Sequence, residues 1–153
     1  AVQEGGFYGW PYSYWGKNVD TRVRPQNPEL VASALQPDYA LGSHVAALGI
    51  AFSQPTMGAQ FADGVFVGEH GSWNRRDPSG YKVVFVSFQD GRPAGEPVDF
   101  VTGFQTDGNT YGRPVGVSVD PRGALIVADD LSNIIWRVTP AGPASTTSEG
   151  HQQ

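Results

Sequence analysis

Four side chains with binding chemistry stand out in this sequence: His44, His70, Trp73 and Arg113. An arginine can bind a carboxylate through two parallel donors, a histidine can donate or accept a hydrogen bond, and an indole can stack on a flat ring. Together these groups would suit a flat, polyanionic ligand. They lie far apart along the chain, so this chemistry requires a fold that brings them to one place.

Each of these groups also has a purely structural interpretation. A single histidine in a strand is more often a satisfied structural residue than a ligand, although two at one rim strengthen the binding interpretation. Arg75 and Arg76 are expected to be solvated or paired with Asp77. Asp129 and Asp130 are expected to form a turn that caps local amides rather than a metal site. Three tryptophans are expected to pack against apolar surface: Trp10, Trp15 and Trp136.

Two stretches of the chain are imperfect copies of one pattern. Each copy consists of three short β-type runs in the same order, separated by turn residues. The runs are residues 44–52, 64–70 and 81–88 in the first copy, and residues 113–120, 123–130 and 133–139 in the second. The repeat length of about 60 residues is typical of propeller blades. The sequence therefore predicts an all-β fold with about two four-stranded blades of a β-propeller.

The propeller arrangement would gather the residues with binding chemistry. The innermost strand of each blade lines a central channel, and the loops entering it meet the loops between the second and third strands on one face. His44 and Arg113 would then lie near residues 69–76 and 129–130. We therefore expect a binding site at the mouth of the channel.

Further segments complete the expected organisation. Residues 96–104 are predicted to be the fourth strand of the first blade. Residues 31–39 are predicted to be a strand from an earlier unit, which could also supply the missing outer strand of the second blade. Residues 1–139 are thus a partial propeller. Residues 140–153 are rich in Ser, Thr, Gly and Pro without apolar periodicity, and they are expected to be a disordered tail.

Two blades alone cannot close a ring, so the sequence leaves three possibilities. The chain could associate with copies of itself, with three copies giving six blades; it could fold open and unstable; or it could belong to a longer polypeptide that supplies the remaining blades.

Composition agrees with a soluble all-β protein. The 20 glycines and 12 prolines disfavour long helices, and the net charge of −5 without a basic cluster argues against a nucleic-acid partner. No apolar run approaches the roughly 20 residues of a membrane span. The chain has no cysteine, so the fold has no disulfide framework. A secreted or periplasmic location is expected.

Several motifs resemble the C-terminal part of the glucose/sorbosone dehydrogenase family, with the L-sorbosone dehydrogenase-like bacterial branch as the nearest match. The most specific motif is Gly-Glu-His-Gly-Ser-Trp-Asn-Arg at residues 68–75. The other motifs are Gly-Phe-Tyr-Gly-Trp-Pro-Tyr at 6–12, the run at 44–52, and Gly-Arg-Pro-Val-Gly-Val at 112–117. The resemblance extends to Thr139.

This resemblance implies a six-bladed β-propeller, typically exported, that oxidises a sugar or sugar aldehyde with pyrroloquinoline quinone (PQQ) and a calcium ion. In the family, arginine and lysine hold the carboxylates of the cofactor. Arg113 falls where the family has a cofactor-binding arginine, and His70 is the nearest candidate for the position of the lysine. His44 lies in a loop that carries a cofactor-stacking tryptophan in soluble members, while Trp73 is a further candidate contact.

The resemblance also implies that this chain is catalytically incomplete alone. The catalytic histidine and the carbonyl groups that hold calcium precede the Gly-Trp-Pro segment in the family, and this chain begins almost at that segment. No catalytic or metal-binding residue is therefore assigned. The alternative function is a non-enzymatic propeller unit that binds carbohydrate or serves as a scaffold.

Overall fold

Strand pairing in the computed structural model, which describes residues 2–139, follows the internal repeat. The elements in chain order are β1 (Ser13–Tyr14), β2 (Asn18–Val19), α1 (Pro28–Ala32), β3 (Ala47–Phe52), β4 (Gly64–Glu69), β5 (Lys82–Gln89), β6 (Arg92–Pro93), β7 (Val98–Val101), β8 (Gln105–Thr106), β9 (Asn109–Thr110), β10 (Pro114–Val119), β11 (Leu125–Asp129) and β12 (Ile134–Val138). Two short 3-10 turns, Pro55–Met57 and Ala59–Phe61, lie between β3 and β4. The tail expected at 140–153 lies outside the described residues.

The first blade is an antiparallel sheet in the order β3, β4, β5, β7. Its register pairs Ile50 with Val67 and Val67 with Val84, so these three side chains share one face. Three of the four strands lie within the runs that the sequence predicted, and β5 extends one residue beyond its run, to Gln89. The blade architecture expected from the repeat is therefore confirmed here.

The second blade contains the three antiparallel strands β10, β11 and β12 in the described part of the chain. A small hairpin of β8 and β9 precedes it. Asp107 and Gly108 turn this hairpin, and both have positive φ angles, of 52° and 78°. An Asp-Gly pair suits such a turn because both residues tolerate the left-handed region. The hairpin returns the chain to the start of β10.

The strand predicted at residues 31–39 is wrong. The segment begins with helix α1, because Asn27 caps it by accepting the N–H of Leu30 and Pro28 fits the first helical turn. Residues 33–46 then contain no strand. This segment therefore does not supply the outer strand of the second blade. Instead, Tyr39 and Leu41 pack on one face of the first blade.

The two blades pack face to face through a single apolar core. Its fully enclosed members are Met57, Phe66, Val83, Phe85, Leu125 and Val127. The blades approach closely because glycines lie at their contact. A Cβ atom on Gly49 would overlap the carbonyl oxygen of Val115, and one on Gly68 would lie 2.7 Å from the same oxygen. Main chain thus contacts main chain where the innermost strands meet.

The opposite face of the first blade, which we call the open face, is only partly covered. Val65, Val67, Val84 and Val86 form its centre. Toward its edge, Ile50 is 65 % exposed and Phe52 is 68 % exposed. These side chains border a groove of about 740 Å³ that Tyr39 and Leu41 line from the other side.

Among residues 2–139, no helix has the length and apolar character needed to cross a membrane.

Replacing Phe66 tests the core between the blades. Phe66 is fully buried and contacts the rings of Phe61, Phe85 and Phe100. We expect Phe66→Ala to lower the free energy of unfolding by about 3–5 kcal/mol, because it removes a large buried ring and leaves a cavity. Urea denaturation measures the change. Phe52→Ala on the open face is the matched control and should cost less than about 1 kcal/mol; equal losses would contradict this description of the core.

Candidate functional site

The residues expected to form a site lie on loops at one end of the two blades. We call this end the rim, and it comprises residues 43–46, 70–76, 111–113 and 129–132. Backbone hydrogen bonds join these loops: His70 N–H donates to Ala46 (3.0 Å), Gly71 N–H to Val45 (2.9 Å), and Asp130 N–H to Arg113 (3.4 Å). The rim is therefore built from strand ends of both blades.

Arg113 joins the two blades at the rim. It lies immediately before β10 of the second blade, and its guanidinium donates to backbone carbonyls of the first. Nε is 3.0 Å from the oxygen of His70, and Nη2 is 2.9 Å from that of Gly71 and 3.0 Å from that of Ser72. Its central carbon also lies 5.1 Å from the centre of the Tyr81 ring. Nη1 has no hydrogen-bond partner among residues 2–139. Arg113 thus holds the turn at 70–72, with one nitrogen left for a ligand.

The turn at 70–72 is further fixed by Gly71 and Tyr81. Gly71 has a φ of 96°, in the region that glycine adopts without strain, and a Cβ there would collide with the Tyr81 ring. The Tyr81 hydroxyl donates to the Ser72 carbonyl. Sequence reasoning did not find Tyr81, whose contribution depends on contacts between separate loops.

Asp129 organises the rim of the second blade. Its Oδ1 accepts the backbone N–H groups of Arg113, Leu131 and Ser132, and its Oδ2 accepts from the Ser132 hydroxyl and the Trp136 indole. Burial alone would raise the pKa of Asp129, but these hydrogen bonds, led by that of Ser132, outweigh burial and lower the pKa to about 2. The prediction that this aspartate caps local amides is confirmed.

Asp130 has a different partner from the one expected. Its two carboxylate oxygens lie 3.0 Å and 3.1 Å from Nε2 of His70. A carboxylate only accepts, so the proton of a neutral His70 ring lies on Nε2 and Nδ1 is the basic nitrogen. The His70 side chain is 20 % exposed. The contact orients His70 across the boundary between the two blades.

The other two predicted site residues lie on adjacent rim loops and are exposed. His44 has a φ of 63°, and Trp73 is 86 % exposed. No hydrogen bond joins either side chain to His70 or Arg113 within the described residues. The structure therefore brings His70 and Arg113 into contact and leaves His44 and Trp73 at the surface nearby. A ligand-binding role for all four stays a prediction.

The remaining sequence predictions have mixed outcomes. Arg75 is exposed as expected, but it donates to the Ser43 carbonyl at 3.3 Å rather than pairing with Asp77. Trp136 packs on Phe104 with ring centres 6.3 Å apart, as predicted. The packing predicted for Trp10 is wrong, because this residue is 83 % exposed in the described part of the chain.

Glu69, which directly precedes the rim residues 70–76, was not singled out by the sequence analysis, and it has a buried side-chain oxygen without a hydrogen-bond partner in the described part of the chain. It is the last residue of β4 and only 1 % exposed, and its Oε2 has no hydrogen-bond partner among residues 2–139. Burial raises its pKa to about 6, with Lys82 opposing the rise and Asp99 adding to it. Lys82 lies opposite Glu69 on β5 but donates to Asp99 at 2.6 Å. The signal in the sequence that could have indicated a buried carboxyl group was the position of this glutamate at the end of an otherwise apolar strand.

Within the part of the chain that the structure describes, no group of three or more His, Cys, Asp or Glu side chains is arranged to hold a metal ion.

Comparison with known proteins identifies a family and a protein to which this chain is similar in sequence. A family model described as TrAA12-like matches residues 16–141. An uncharacterized protein of Borreliella burgdorferi is 34 % identical over 138 residues, covering 86 % of this chain and 35 % of that protein.

Solved structures share the fold. The holo form of the pyranose dehydrogenase PQQ domain from Coprinopsis cinerea is 26 % identical, with a TM-score of 0.66, and the match covers 88 % of this chain and 40 % of that one. The soluble aldose sugar dehydrogenase of Escherichia coli, in its apo form, is 24 % identical, with a TM-score of 0.59 and coverage of 90 % and 36 %. The chain therefore spans well under half the length of these relatives.

The buried carboxyl of Glu69 makes stability depend on pH. Its pKa is about 6 in the folded chain and near 4.5 when unfolded, so the contribution of this group to stability is greatest below pH 4.5 and is lost as pH rises through 6. The loss attributable to this group is about 2 kcal/mol. We expect Glu69→Gln to remove this loss and to be more stable than the parent at pH 8. Urea denaturation from pH 4.5 to 8 measures both; an unchanged pH profile would refute the assignment.

Removing Arg113 should loosen the turn at 70–72. We expect Arg113→Ala to lower the free energy of unfolding by about 3 kcal/mol, because three backbone carbonyls lose a charged donor. Limited proteolysis should show faster cleavage at residues 70–76. Arg75→Ala is the matched control, since this arginine is exposed, and its cost should stay within about 0.5 kcal/mol.

Proposed function

Because this chain belongs to the TrAA12-like family, we propose that it is part of a PQQ-dependent sugar dehydrogenase and contributes one section of the cofactor-binding face. The contact of Arg113 and His70 at the rim, on blades similar to those of a PQQ domain, carries this proposal. The chain spans well under half the length of that domain. The activity of the whole enzyme is therefore proposed for the assembled propeller rather than for these blades alone.

The rim has groups that fit the chemistry of PQQ, a flat ring system with carboxylates. Trp73 exposes an indole that can stack on a flat ring. Nη1 of Arg113 can donate to a carboxylate, and the exposed Arg75 and Arg76 add positive charge nearby. When bound, the quinone supplies a two-electron acceptor for sugar oxidation.

The residues of this chain would bind and orient rather than catalyse. Arg113 fixes the turn at 70–72 and so determines where His70 and Trp73 lie. Asp130 holds the His70 ring with Nδ1 as its basic nitrogen. His44 lies on the adjoining loop, where a contact with the cofactor is proposed. We assign no general base to this chain, because the catalytic histidine of the family that the motifs resemble precedes the Gly-Trp-Pro segment.

Finer parts of the proposal rest on the sequence motifs. They are the L-sorbosone dehydrogenase-like branch, with a sugar or sugar aldehyde as substrate; a calcium ion held by residues outside this chain; and a secreted or periplasmic location. For assembly, the two blades are proposed to work within a larger propeller, made either of three copies or of a longer polypeptide.

A carbohydrate-binding unit without enzymatic activity is the second candidate. Exposed aromatic side chains at the rim favour it, because Trp73 is 86 % and Tyr111 is 62 % exposed. Aromatic faces of this kind can cover the apolar face of a sugar ring. This candidate requires saturable sugar binding in the absence of PQQ.

Titration with PQQ distinguishes the two candidates. We expect PQQ with calcium to quench Trp73 fluorescence saturably, and Trp73→Ala to weaken binding about tenfold through the loss of stacking. Trp10→Ala is the matched control, since Trp10 is similarly exposed but lies outside the rim, and it should leave the affinity unchanged. Saturable binding of sugars with no response to PQQ would favour the carbohydrate-binding unit and overturn the dehydrogenase proposal.

A further inference from the structure

A cleft away from the rim brings together polar side chains that the proposed function leaves unused. It lies between the turn of the β1–β2 hairpin and the segment that follows helix α1, and we call it the hairpin cleft. Its volume is about 380 Å³, near the lower end of the range for small-molecule sites, which is about 300–1,000 Å³. None of its lining residues belongs to the rim or to the groove of the open face. The lining residues are Trp15, Gly16, Lys17, Asn18, Ala34 and Gln36.

The turn of this hairpin holds a bulky residue in a conformation that suits smaller ones. Residues 15–17 join β1 to β2, and Trp15 and Gly16 have φ angles of 46° and 76°. Two successive positive φ angles in a hairpin turn favour Asn or Asp followed by Gly, and a bulky side chain is unusual there. Gly16 meets this requirement and Trp15 does not. Strained backbone of this kind is concentrated where a side chain has a binding role.

The polar groups of the hairpin cleft are available to a ligand. Asn18 donates from Nδ2 to the carbonyl oxygen of Trp15 at 2.9 Å, which orients the amide and leaves Oδ1 as an acceptor. Among residues 2–139, no hydrogen-bond partner meets this Oδ1, the amide of Gln36 or the ammonium of Lys17. Trp15 is 40 % exposed, so this chain leaves part of it accessible. The cleft thus combines donors, an acceptor and an aromatic side chain.

Lys17 gives the hairpin cleft a positive charge. No acidic residue is among those that line it, although the whole chain has a net charge of −5. An ammonium group makes a charge-assisted hydrogen bond to a carboxylate, and amide groups both donate to and accept from hydroxyl groups. An indole packs against the apolar face of a ring. A pyranose ring with hydroxyl groups and one carboxylate, which is a uronic acid, matches all three kinds of group.

We propose that the hairpin cleft binds a uronic acid, either as a free sugar or as one unit of an acidic polysaccharide. The sugar ring stacks on Trp15, and its carboxylate accepts a hydrogen bond from Lys17. Its hydroxyl groups form hydrogen bonds with the amides of Asn18 and Gln36. The site binds this sugar without transforming it. The inference rests on the geometry of the N-terminal hairpin and is independent of PQQ binding at the rim.

An NMR titration with methyl glucuronide, in the absence of PQQ, tests this site. We expect saturable shifts of the indole resonances of Trp15 and of the side-chain amides of Asn18 and Gln36. Methyl glucoside has the same ring with a hydroxymethyl group in place of the carboxylate. It should bind at least about fivefold more weakly, because the charge-assisted contact with Lys17 is lost. The absence of saturable shifts, or equal binding of the two glycosides, would overturn the proposal.

Two substitutions separate stacking from charge. Trp15→Asn should weaken glucuronide binding about tenfold but raise the midpoint of urea unfolding, because asparagine adopts the left-handed conformation more readily than tryptophan. Lys17→Gln should lower the glucuronide affinity to that of the glucoside and leave the glucoside affinity unchanged. Trp10→Ala and Arg24→Gln are the matched controls, since both residues are exposed in the same segment but lie outside the cleft. If Trp15→Asn lowered both stability and affinity, Trp15 would be a structural residue and the proposal would be contradicted.

The rim is the other place at which this chain offers aromatic side chains to a sugar, and Trp73→Ala distinguishes the two locations. This substitution should leave glucuronide binding unchanged. If it removed binding while Trp15→Asn did not, the sugar would occupy the rim and the hairpin site would be refuted. Trigalacturonate then identifies the source of the ligand: tighter binding of the trimer than of the single sugar assigns a polysaccharide, and equal binding assigns the free sugar. Either result supports the site.

Discussion

The guanidinium of Arg113 connects the two blades at the point where the candidate site lies. It extends from the second blade and binds three consecutive carbonyls of the first. A single charged group therefore links the blades at the rim and shapes the turn that carries His70 and Trp73. Lysine would not reproduce this geometry, because several donors in a fixed plane are needed to reach three acceptors. Fold and site are coupled through one side chain.

Because its guanidinium binds the protein itself, Arg113 has a different role from the one expected from the sequence. From sequence, Arg113 was expected to clamp a ligand carboxylate with two donors. In the structure, Nε and Nη2 are occupied by the protein, and only Nη1 lacks a partner among the described residues. Its main contribution is therefore to position other groups, with at most one direct contact to a ligand. The contact between Asp130 and His70 also has a positioning role, because it orients the His70 ring between the two blades.

Much of the fold was accessible from sequence because its cause is local. Alternating apolar residues and turn residues at a fixed repeat predicted seven strands of the two blades in their correct order. The failure at residues 31–39 also has a local cause, since the Asn27 cap and Pro28 outweighed the apolar content of the segment. The aspartate cap at Asp129 was predicted because turn chemistry acts between near neighbours.

The site was less accessible because its contacts join distant residues. Nothing along the chain indicates that Arg113 reaches the carbonyls of residues 70–72 or that Asp130 meets His70. Glu69 was missed for a related reason. Its significance depends on which face of β4 is covered and on which nearby donors are already engaged, and neither is visible in one strand.

The glycine contact between the innermost strands limits how this part of the protein can move. With Gly49 and Gly68 against the Val115 carbonyl, any sliding or hinging of one blade relative to the other would have to break this close main-chain contact. Any conformational change that admits or releases a bound molecule is then expected in the exposed loops or at boundaries with other sheets.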